Sequence, residues 1–131
     1  MIFVDTGAWF ACVVPWDANH AAAAAWIRQN RDPLITTDFI VDETLTLLRA
    51  RNENARAVAL GDQLFGDIWA SLYFVSEDEI REAWHVFRNY ADKDWSFTDC
   101  TSKVVIEKLG LATAFSFDHH FEQFGTVRVM P

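Results

Sequence analysis

Short apolar runs alternate with longer segments of helical periodicity along the whole of this chain. The apolar runs at residues 2–4, 34–36, 72–75, 113–117 and 127–129 have the length of buried strands. The segments between them predict helices over residues 6–14, 20–30, 38–51, 54–69, 76–90 and 96–109. Strands that alternate with helices are typical of an α/β domain. We therefore predict a three-layer α/β sandwich with a mostly parallel five-stranded sheet.

Length and composition favour one packed domain that covers residues 1–131. The chain has 131 residues, 51% of them hydrophobic, which is enough for a single core. No apolar run reaches the roughly 18 residues of a membrane span, and the first strand leaves no room for a signal peptide. We expect a cytoplasmic protein without a membrane partner. Cys12 and Cys100 lack metal-ligand spacing and are expected to be buried thiols.

The helical faces predict which side chains enter the core. At about 100° per residue, the third helix places Glu43 between Phe39 and Leu47, so this carboxylate should be partly buried. In the fifth helix, Ser76 and Glu79 have the spacing of a capping box. The apolar positions predicted to pack are Ile40, Val41, Leu45 and Leu48 in the third helix, Val58, Leu60, Leu64, Phe65 and Ile68 in the fourth, and Ile80, Trp84 and Phe87 in the fifth.

Three acids stand at positions that a parallel sheet brings to one edge. Asp5 ends the first strand, Asp118 ends the fourth, and Asp99 falls just inside a helix start that Ser96 or Thr98 can cap. If the first strand is central, Asp5 and Asp118 project from adjacent strands. Each acid also has an ordinary interpretation: Asp5 and Asp118 could cap the next helix, and Asp99 could be a first-turn acid.

Glu43 is harder to explain structurally, because a carboxylate on an apolar helix face is rarely buried without a partner. A salt bridge to an arginine is its structural alternative. Four acids gathered at one sheet edge would repel one another unless cations were present. Oxygen ligands alone favour Mg²⁺ or Mn²⁺, and two such ions can promote hydrolysis of a phosphodiester. Metal-dependent phosphoester hydrolysis is therefore the leading chemistry.

The charge balance limits how the protein could meet a nucleic acid. The formal net charge is −8, whereas non-specific binding to phosphate backbones depends on Lys and Arg. Arg49, Arg51 and Arg56 form the densest basic cluster and are candidate RNA contacts. Charges that complement the end of a helix are an equal alternative for them. The adjacent His119 and His120 are expected to point apart and not to ligate a metal.

The segments VDTGAW, TTDFIVDETLTLLR, WSFTDC and FSFDHHF resemble, in order and spacing, the motifs of PIN-domain ribonucleases, in particular VapC toxins of toxin–antitoxin systems. The resemblance covers the chain from end to end. It implies an acidic quartet of Asp5, Glu43, Asp99 and Asp118 with Thr6 and Thr98 as hydroxyl neighbours. It also implies cleavage of RNA that depends on Mg²⁺ or Mn²⁺, inhibition by a cognate antitoxin protein, and a homodimer.

Two departures from the family pattern accompany the resemblance. Gly7 stands where relatives often have Ser, and His119 stands where an Arg often follows the last acid, which removes a permanent charge. Two other functions stay open on the sequence alone. One is a phosphoacceptor receiver-like domain, which would need an aspartate after the third strand, where Phe74, Val75 and Ser76 stand. The other is a catalytically silent PIN-like module that binds a partner protein.

Overall fold

Five parallel strands form one sheet in the computed structural model, which describes residues 1–131. The strands are β1 (Ile2–Val4), β2 (Leu34–Thr37), β3 (Ser71–Tyr73), β4 (Thr113–Phe115) and β5 (Arg128–Met130). They lie in the order β3-β2-β1-β4-β5, so β1 is central and pairs with β2 on one side and β4 on the other. The prediction of a central first strand beside the fourth is confirmed.

Six α-helices connect and cover the strands. They are α1 (Thr6–Val13), α2 (His20–Gln29), α3 (Asp38–Ala50), α4 (Asn54–Phe65), α5 (Glu77–Asn89) and α6 (Phe97–Lys108), with short 3-10 helices at Ala91–Lys93 and His119–Phe124. Along the chain, β2 and β3 are added on one side of β1, and β4 and β5 are then added on its other side. Right-handed crossovers therefore place the helices before and after this reversal on opposite faces, which gives the predicted three layers. None of these helices is both long enough and apolar enough to cross a membrane.

The central strands are apolar on both faces, as expected for a covered parallel sheet. Phe3, Val4 and Phe115 are fully buried. Trp9 of α1 packs in the same core, and its indole N–H donates to the Thr36 hydroxyl at 3.2 Å. Thr36 in turn donates to the carbonyl of Val4 at 3.1 Å. A buried hydrogen-bonded chain thus fixes α1 and β2 against the end of β1, where the predicted acids begin.

Two helical faces differ from the prediction. The α4 helix ends at Phe65 rather than near residue 69, because Gly66 caps it and Asp67 adopts a positive φ of 53°. Leu60 and Leu64 are buried as predicted, whereas Val58, Phe65 and Ile68 are exposed.

In α5, Trp84 and Phe87 are exposed rather than buried, and Ile80 is only partly buried. The core contacts come instead from Glu79 and Ala83. The predicted capping box between Ser76 and Glu79 is present and sets the rotation of this helix. The buried side of α5 therefore carries the hydrogen-bonded Glu79 and the small Ala83, where the hydrophobic pattern predicted Trp84 and Phe87.

Candidate active site

An acid-lined cleft lies at the carboxyl ends of β1 and β4, where the order of the strands reverses. This is where open α/β sheets bind ligands. The lining residues come from α1, α3, α6, the 3-10 helix His119–Phe124 and three loops, and they are Asp5, Thr6, Gly7, Glu43, Leu47, Asp94, Ser96, Asp99, Phe117, Asp118 and His120. The structure thus brings together all four acids of the predicted quartet, along with Thr6. Thr98 does not line the cleft, and its carbonyl instead accepts from the Thr101 hydroxyl at 2.7 Å.

Asp5 directly follows β1 and is 5% exposed. It stands at the N-cap position of α1, but its side chain makes no capping hydrogen bond. Its Oδ2 instead accepts from the Ser116 hydroxyl at 3.1 Å. The pKa of Asp5 is raised to about 7, chiefly by burial and also by the charges of Asp99 and Asp118, while hydrogen bonds from the Thr6 backbone and Ser116 oppose the shift. The capping alternative therefore does not explain this carboxylate.

Asp99 occupies the third position of α6 and serves two purposes. It forms a capping box with Ser96, in which the Asp99 amide donates to Ser96 Oγ at 3.0 Å and the Ser96 amide donates to Asp99 Oδ2 at 3.0 Å. The side chain still borders the cleft, and burial raises its pKa, as does the charge of Asp118. The first-turn interpretation is thus correct for Asp99, and it does not remove the carboxylate from the cleft.

Asp118 lies three residues beyond β4 and begins the 3-10 helix His119–Phe124. Its Oδ1 accepts from the backbone N–H of His120 at 2.9 Å, so the capping interpretation is also correct here. The Asp118 amide donates to Ser116 Oγ at 3.0 Å. Because the same Ser116 hydroxyl donates to Asp5, one buried serine fixes the two strand-end acids relative to each other.

His120 is the one imidazole that reaches the acids from inside the cleft. Its Nδ1 lies 3.1 Å from Asp99 Oδ2 and 3.3 Å from Asp118 Oδ1. His119 lies outside, with its Nδ1 3.7 Å from Asp118 Oδ1 and its side chain 75% exposed. The expectation that the two rings point apart is wrong: their centroids are 4.4 Å apart, because the Asp118 carboxylate draws both toward it.

Glu43 projects from α3 into the opposite wall of the cleft and is partly buried, as its helical position predicts. No arginine or lysine forms an ion pair with it, so its structural alternative is absent. Asp94 adds a fifth, exposed carboxylate from the loop before α6, where its φ is 56°. From the sequence alone, Asp94 is expected in a solvated loop rather than as a fifth ligand; in the structure it is exposed and also borders the cleft.

The donor atoms of the cleft suit a hard divalent cation. The Thr6 hydroxyl is buried beside Asp5 and has no hydrogen-bond partner in the protein. Such an orphaned oxygen is uncommon, and it points to a ligand or an ordered water. The surrounding carboxylates supply the oxygen atoms that Mg²⁺ and Mn²⁺ prefer. Asp118, His119 and His120 also present ligand atoms within 4.8 Å of one another.

Two of the three arginines in the predicted basic cluster are engaged by neighbouring side chains. Arg49 donates to Asn54 Oδ1 at 2.9 Å, and Arg56 pairs with Glu53 at 3.2 Å and lies 5.0 Å from the centre of a Trp16 ring. Arg51 is exposed, and it alone of the three has neither an ion pair nor a side-chain hydrogen bond. It is the C-cap residue of α3, one turn beyond Leu47 and two beyond Glu43, both of which line the cleft.

Sequence reasoning missed Ser116, His120 and Asp94. Ser116 had a readable signal, because a serine two residues before an acid often forms a local turn through its hydroxyl. The contacts of His120 with Asp99 span 21 positions of the chain, and no local pattern announces them. The position of Asp94 could be found only from the path of the loop before α6, and that path depends on the left-handed conformation of Asp94 itself.

A parallel α/β sheet with this acid-lined cleft is the architecture of the PIN domain. The chain matches that family over residues 2–127 and belongs to it.

Two similar proteins carry names that describe an activity. The chain is 32% identical over 131 residues to the 23S rRNA-specific endonuclease VapC20 of Mycobacterium tuberculosis, a match that covers 100% of this chain and 99% of that protein. It is 30% identical over 123 residues to a VapC ribonuclease of Archaeoglobus fulgidus, covering 90% of this chain and 77% of the relative. Both similarities extend over most of the length of each protein.

The solved structures agree with the family assignment. The crystal structure of M. tuberculosis VapC20, described as a Sarcin-Ricin loop cleaving toxin, matches with a TM-score of 0.92 and 30% identity, covering 100% of both chains. The structure of FitAcB from Neisseria gonorrhoeae matches with a TM-score of 0.72 at 16% identity, covering 100% of this chain and 97% of that one. The second similarity shows the fold alone.

Proposed function

We propose that this protein is an endoribonuclease of the VapC type that hydrolyses RNA with divalent Mg²⁺ or Mn²⁺ held by Asp5, Glu43, Asp99 and Asp118. The observation that carries the proposal is the convergence of these four carboxylates around the buried, unpartnered Thr6 hydroxyl. Similarity to named ribonucleases over nearly the whole chain supports RNA as the substrate class. A receiver-like function has no such support, because β3 is an edge strand and Phe74 follows it.

When bound, the divalent ions supply charge stabilisation for the phosphate and a more acidic water, according to the two-metal scheme. Asp5, Asp99 and Asp118 would hold the ions, because their carboxylates line the same cleft. Glu43, which lines the cleft from α3, would orient the attacking water. His120 fixes the orientation of Asp99 and Asp118, as the partners of metal ligands commonly do. Water is the nucleophile in this scheme, so hydrolysis should leave a 5′-phosphate.

The biological setting follows from the same similarity. We propose that the protein acts as the toxin of a toxin–antitoxin pair, that a cognate antitoxin protein inhibits it, and that it forms a homodimer. The catalytically silent alternative keeps the fold and the partner but predicts no RNA cleavage under any metal condition.

Metal removal tests the proposed function directly. Purified protein in excess chelator should not cleave total cellular RNA, and Mg²⁺ or Mn²⁺ added back should restore cleavage, because an apo cleft offers the phosphate only negative charge. The products are read by sequencing their ends, which should carry 5′-phosphates. Cleavage that persists in chelator would contradict the metal mechanism, and the absence of cleavage with any divalent ion would favour the silent module.

Arg51 should be the member of the predicted basic cluster that contacts RNA. Arg51→Ala should weaken RNA binding and reduce the slope of log affinity against log salt by about 1, as loss of one phosphate contact does. Arg49→Ala is the matched control, because Arg49 already donates to Asn54. Both affinities are measured by fluorescence anisotropy over a salt series. Equal effects of the two substitutions would contradict the assignment of the RNA contact to Arg51.

A further inference from the structure

The two histidines that follow Asp118 both turn toward its carboxylate. His120 Nδ1 lies 3.3 Å from Asp118 Oδ1, and His119 Nδ1 lies 3.7 Å from the same oxygen. One ligand atom from each of the three residues lies within 4.8 Å of the other two. The sequence argues against metal ligation by these histidines because adjacent residues at the start of a helix diverge. The structure removes that reason.

The separations match those of ligands around one small metal ion. Ligands at about 2.1 Å from a tetrahedral ion lie about 3.4 Å from one another. The distances of 3.3 and 3.7 Å from Asp118 Oδ1 to the two imidazole nitrogens are close to that value. An ion between the three groups therefore needs only small rotations of the side chains, and water can complete its coordination on the exposed side.

The three side chains are held from within and open to solvent from outside. Asp118 Oδ1 accepts from the His120 N–H at 2.9 Å, and the Asp118 N–H donates to Ser116 Oγ at 3.0 Å. The side chain of His119 is 75% exposed and that of Asp118 is 36% exposed, whereas that of His120 is 19% exposed. A supported ligand set with an entry path is what a metal site requires.

This ligand set differs in chemistry from the acidic quartet. Oxygen ligands alone suit Mg²⁺ and Mn²⁺, whereas imidazole nitrogens suit ions such as Zn²⁺. Two histidines with one carboxylate are a ligand set that zinc enzymes use. The carboxylate of Asp99, 3.1 Å from His120 Nδ1, adds negative charge that favours a cation beside it.

We propose that Asp118, His119 and His120, the rim site, bind one Zn²⁺ ion and that this ion inhibits the nuclease. Asp118 is also a proposed ligand of the catalytic ions, so Zn²⁺ on its Oδ1 competes with them. The ion also takes His120 Nδ1, which otherwise orients Asp99. The Zn²⁺ site stands on its own geometry, whereas its inhibitory effect rests on the proposed ribonuclease function.

Calorimetric titration of the untagged protein with Zn²⁺, in excess Mg²⁺, tests the rim site without RNA. His119→Gln should lower the Zn²⁺ affinity by at least about 10-fold, because loss of even an outer partner of a metal ligand has that effect. His85→Gln is the matched control, since it removes an exposed imidazole from α5, and it should bind Zn²⁺ like the wild type. Equal Zn²⁺ affinity of His119→Gln and the wild type would overturn the rim site.

Cleavage of total RNA in Mg²⁺ tests the inhibition. All three proteins should cleave at the same rate without Zn²⁺, since neither histidine lines the cleft. His119→Gln should need at least about 10-fold more Zn²⁺ than the other two for the same inhibition. Equal inhibition of all three would place the inhibitory ion among the cleft carboxylates and overturn the regulatory role. Zn²⁺ binding that depends on His119, in a protein that cleaves no RNA with any divalent ion, would support the rim site and overturn the proposed function.

Discussion

Asp99→Asn should abolish RNA cleavage and leave the fold intact. The amide is similar in size to the carboxylate and keeps an oxygen that can accept from the Ser96 backbone, so the start of α6 should form normally. It cannot supply the negative charge that a divalent ion needs. Residues that merely orient a metal ligand typically contribute 10–100-fold, so loss of a ligand itself should reduce the cleavage rate by more than about 100-fold.

Asp42→Asn is the control for this substitution. Asp42 precedes Glu43 on α3 but is exposed to solvent, so the change removes the same charge outside the cleft. Its cleavage rate should match that of the wild type when both are measured on the same RNA at saturating Mg²⁺. Full activity of Asp99→Asn would show that Asp99 serves only to cap α6. Thermal unfolding of both variants, compared with the wild type, excludes a simple loss of structure.

Much of the fold follows from local patterns. The strands are short apolar runs between Gly, Pro and polar segments, and each is found within two residues of its predicted place. The joint position of Asp5 and Asp118 followed from one topological step, the placement of β1 beside β4. Glu43 could be singled out because helical periodicity fixes its side of α3 relative to Phe39 and Leu47. These predictions needed no information about distant contacts.

The surface of α5 could not be predicted in the same way. Periodicity finds the apolar side of a helix but does not say whether the sheet covers it. Here Glu79 and Ala83 face the core, and the capping box with Ser76 holds the helix in that rotation. Trp84 and Phe87 are therefore left at the edge of the packed face and in solvent. The exposure of such aromatic side chains depends on tertiary packing, so the sequence alone wrongly predicts them to be in the core.

Glu79 and Asp5 show how a buried acid is interpreted once its contacts are known. Glu79 is 1% exposed, and it accepts from the Tyr73 hydroxyl at 2.7 Å and the Ser76 amide at 2.8 Å, with Lys108 Nζ 3.4 Å away. Burial alone would raise the pKa of Glu79, but these donors hold it below its ordinary value. Asp5 has too few donors, and burial dominates its pKa. Both acids are conspicuous because they are buried. The number of hydrogen-bond donors around each carboxylate then distinguishes Glu79, which is structural, from Asp5, the candidate metal ligand.

Asp5→Asn should stabilise the metal-free protein at neutral pH, and the gain should disappear in acid. The pKa of Asp5 is about 7 in the folded protein and 3.8 ordinarily, because burial penalises its charged form. Below pH 3.8 the carboxyl is protonated in the folded and unfolded states alike, and it does not affect the free energy of unfolding. As pH rises toward 7 the unfolded state holds fewer protons than the folded state, so the wild type loses stability by up to about 4 kcal/mol. The neutral amide avoids that loss.

Denaturant unfolding in chelator between pH 4 and 8 measures this effect. The free energy of unfolding of Asp5→Asn minus that of the wild type should increase with pH, most steeply between pH 4 and 7, since only the wild type carries the titrating group. Asp42→Asn should show no such rise, because Asp42 is exposed. Added Mn²⁺ at pH 8 should then stabilise the wild type, whose ionised Asp5 binds it, far more than Asp5→Asn. A variant less stable than the wild type at every pH, and equally responsive to Mn²⁺, would mean that the Asp5 carboxylate is a structural partner of Ser116 and not a metal ligand.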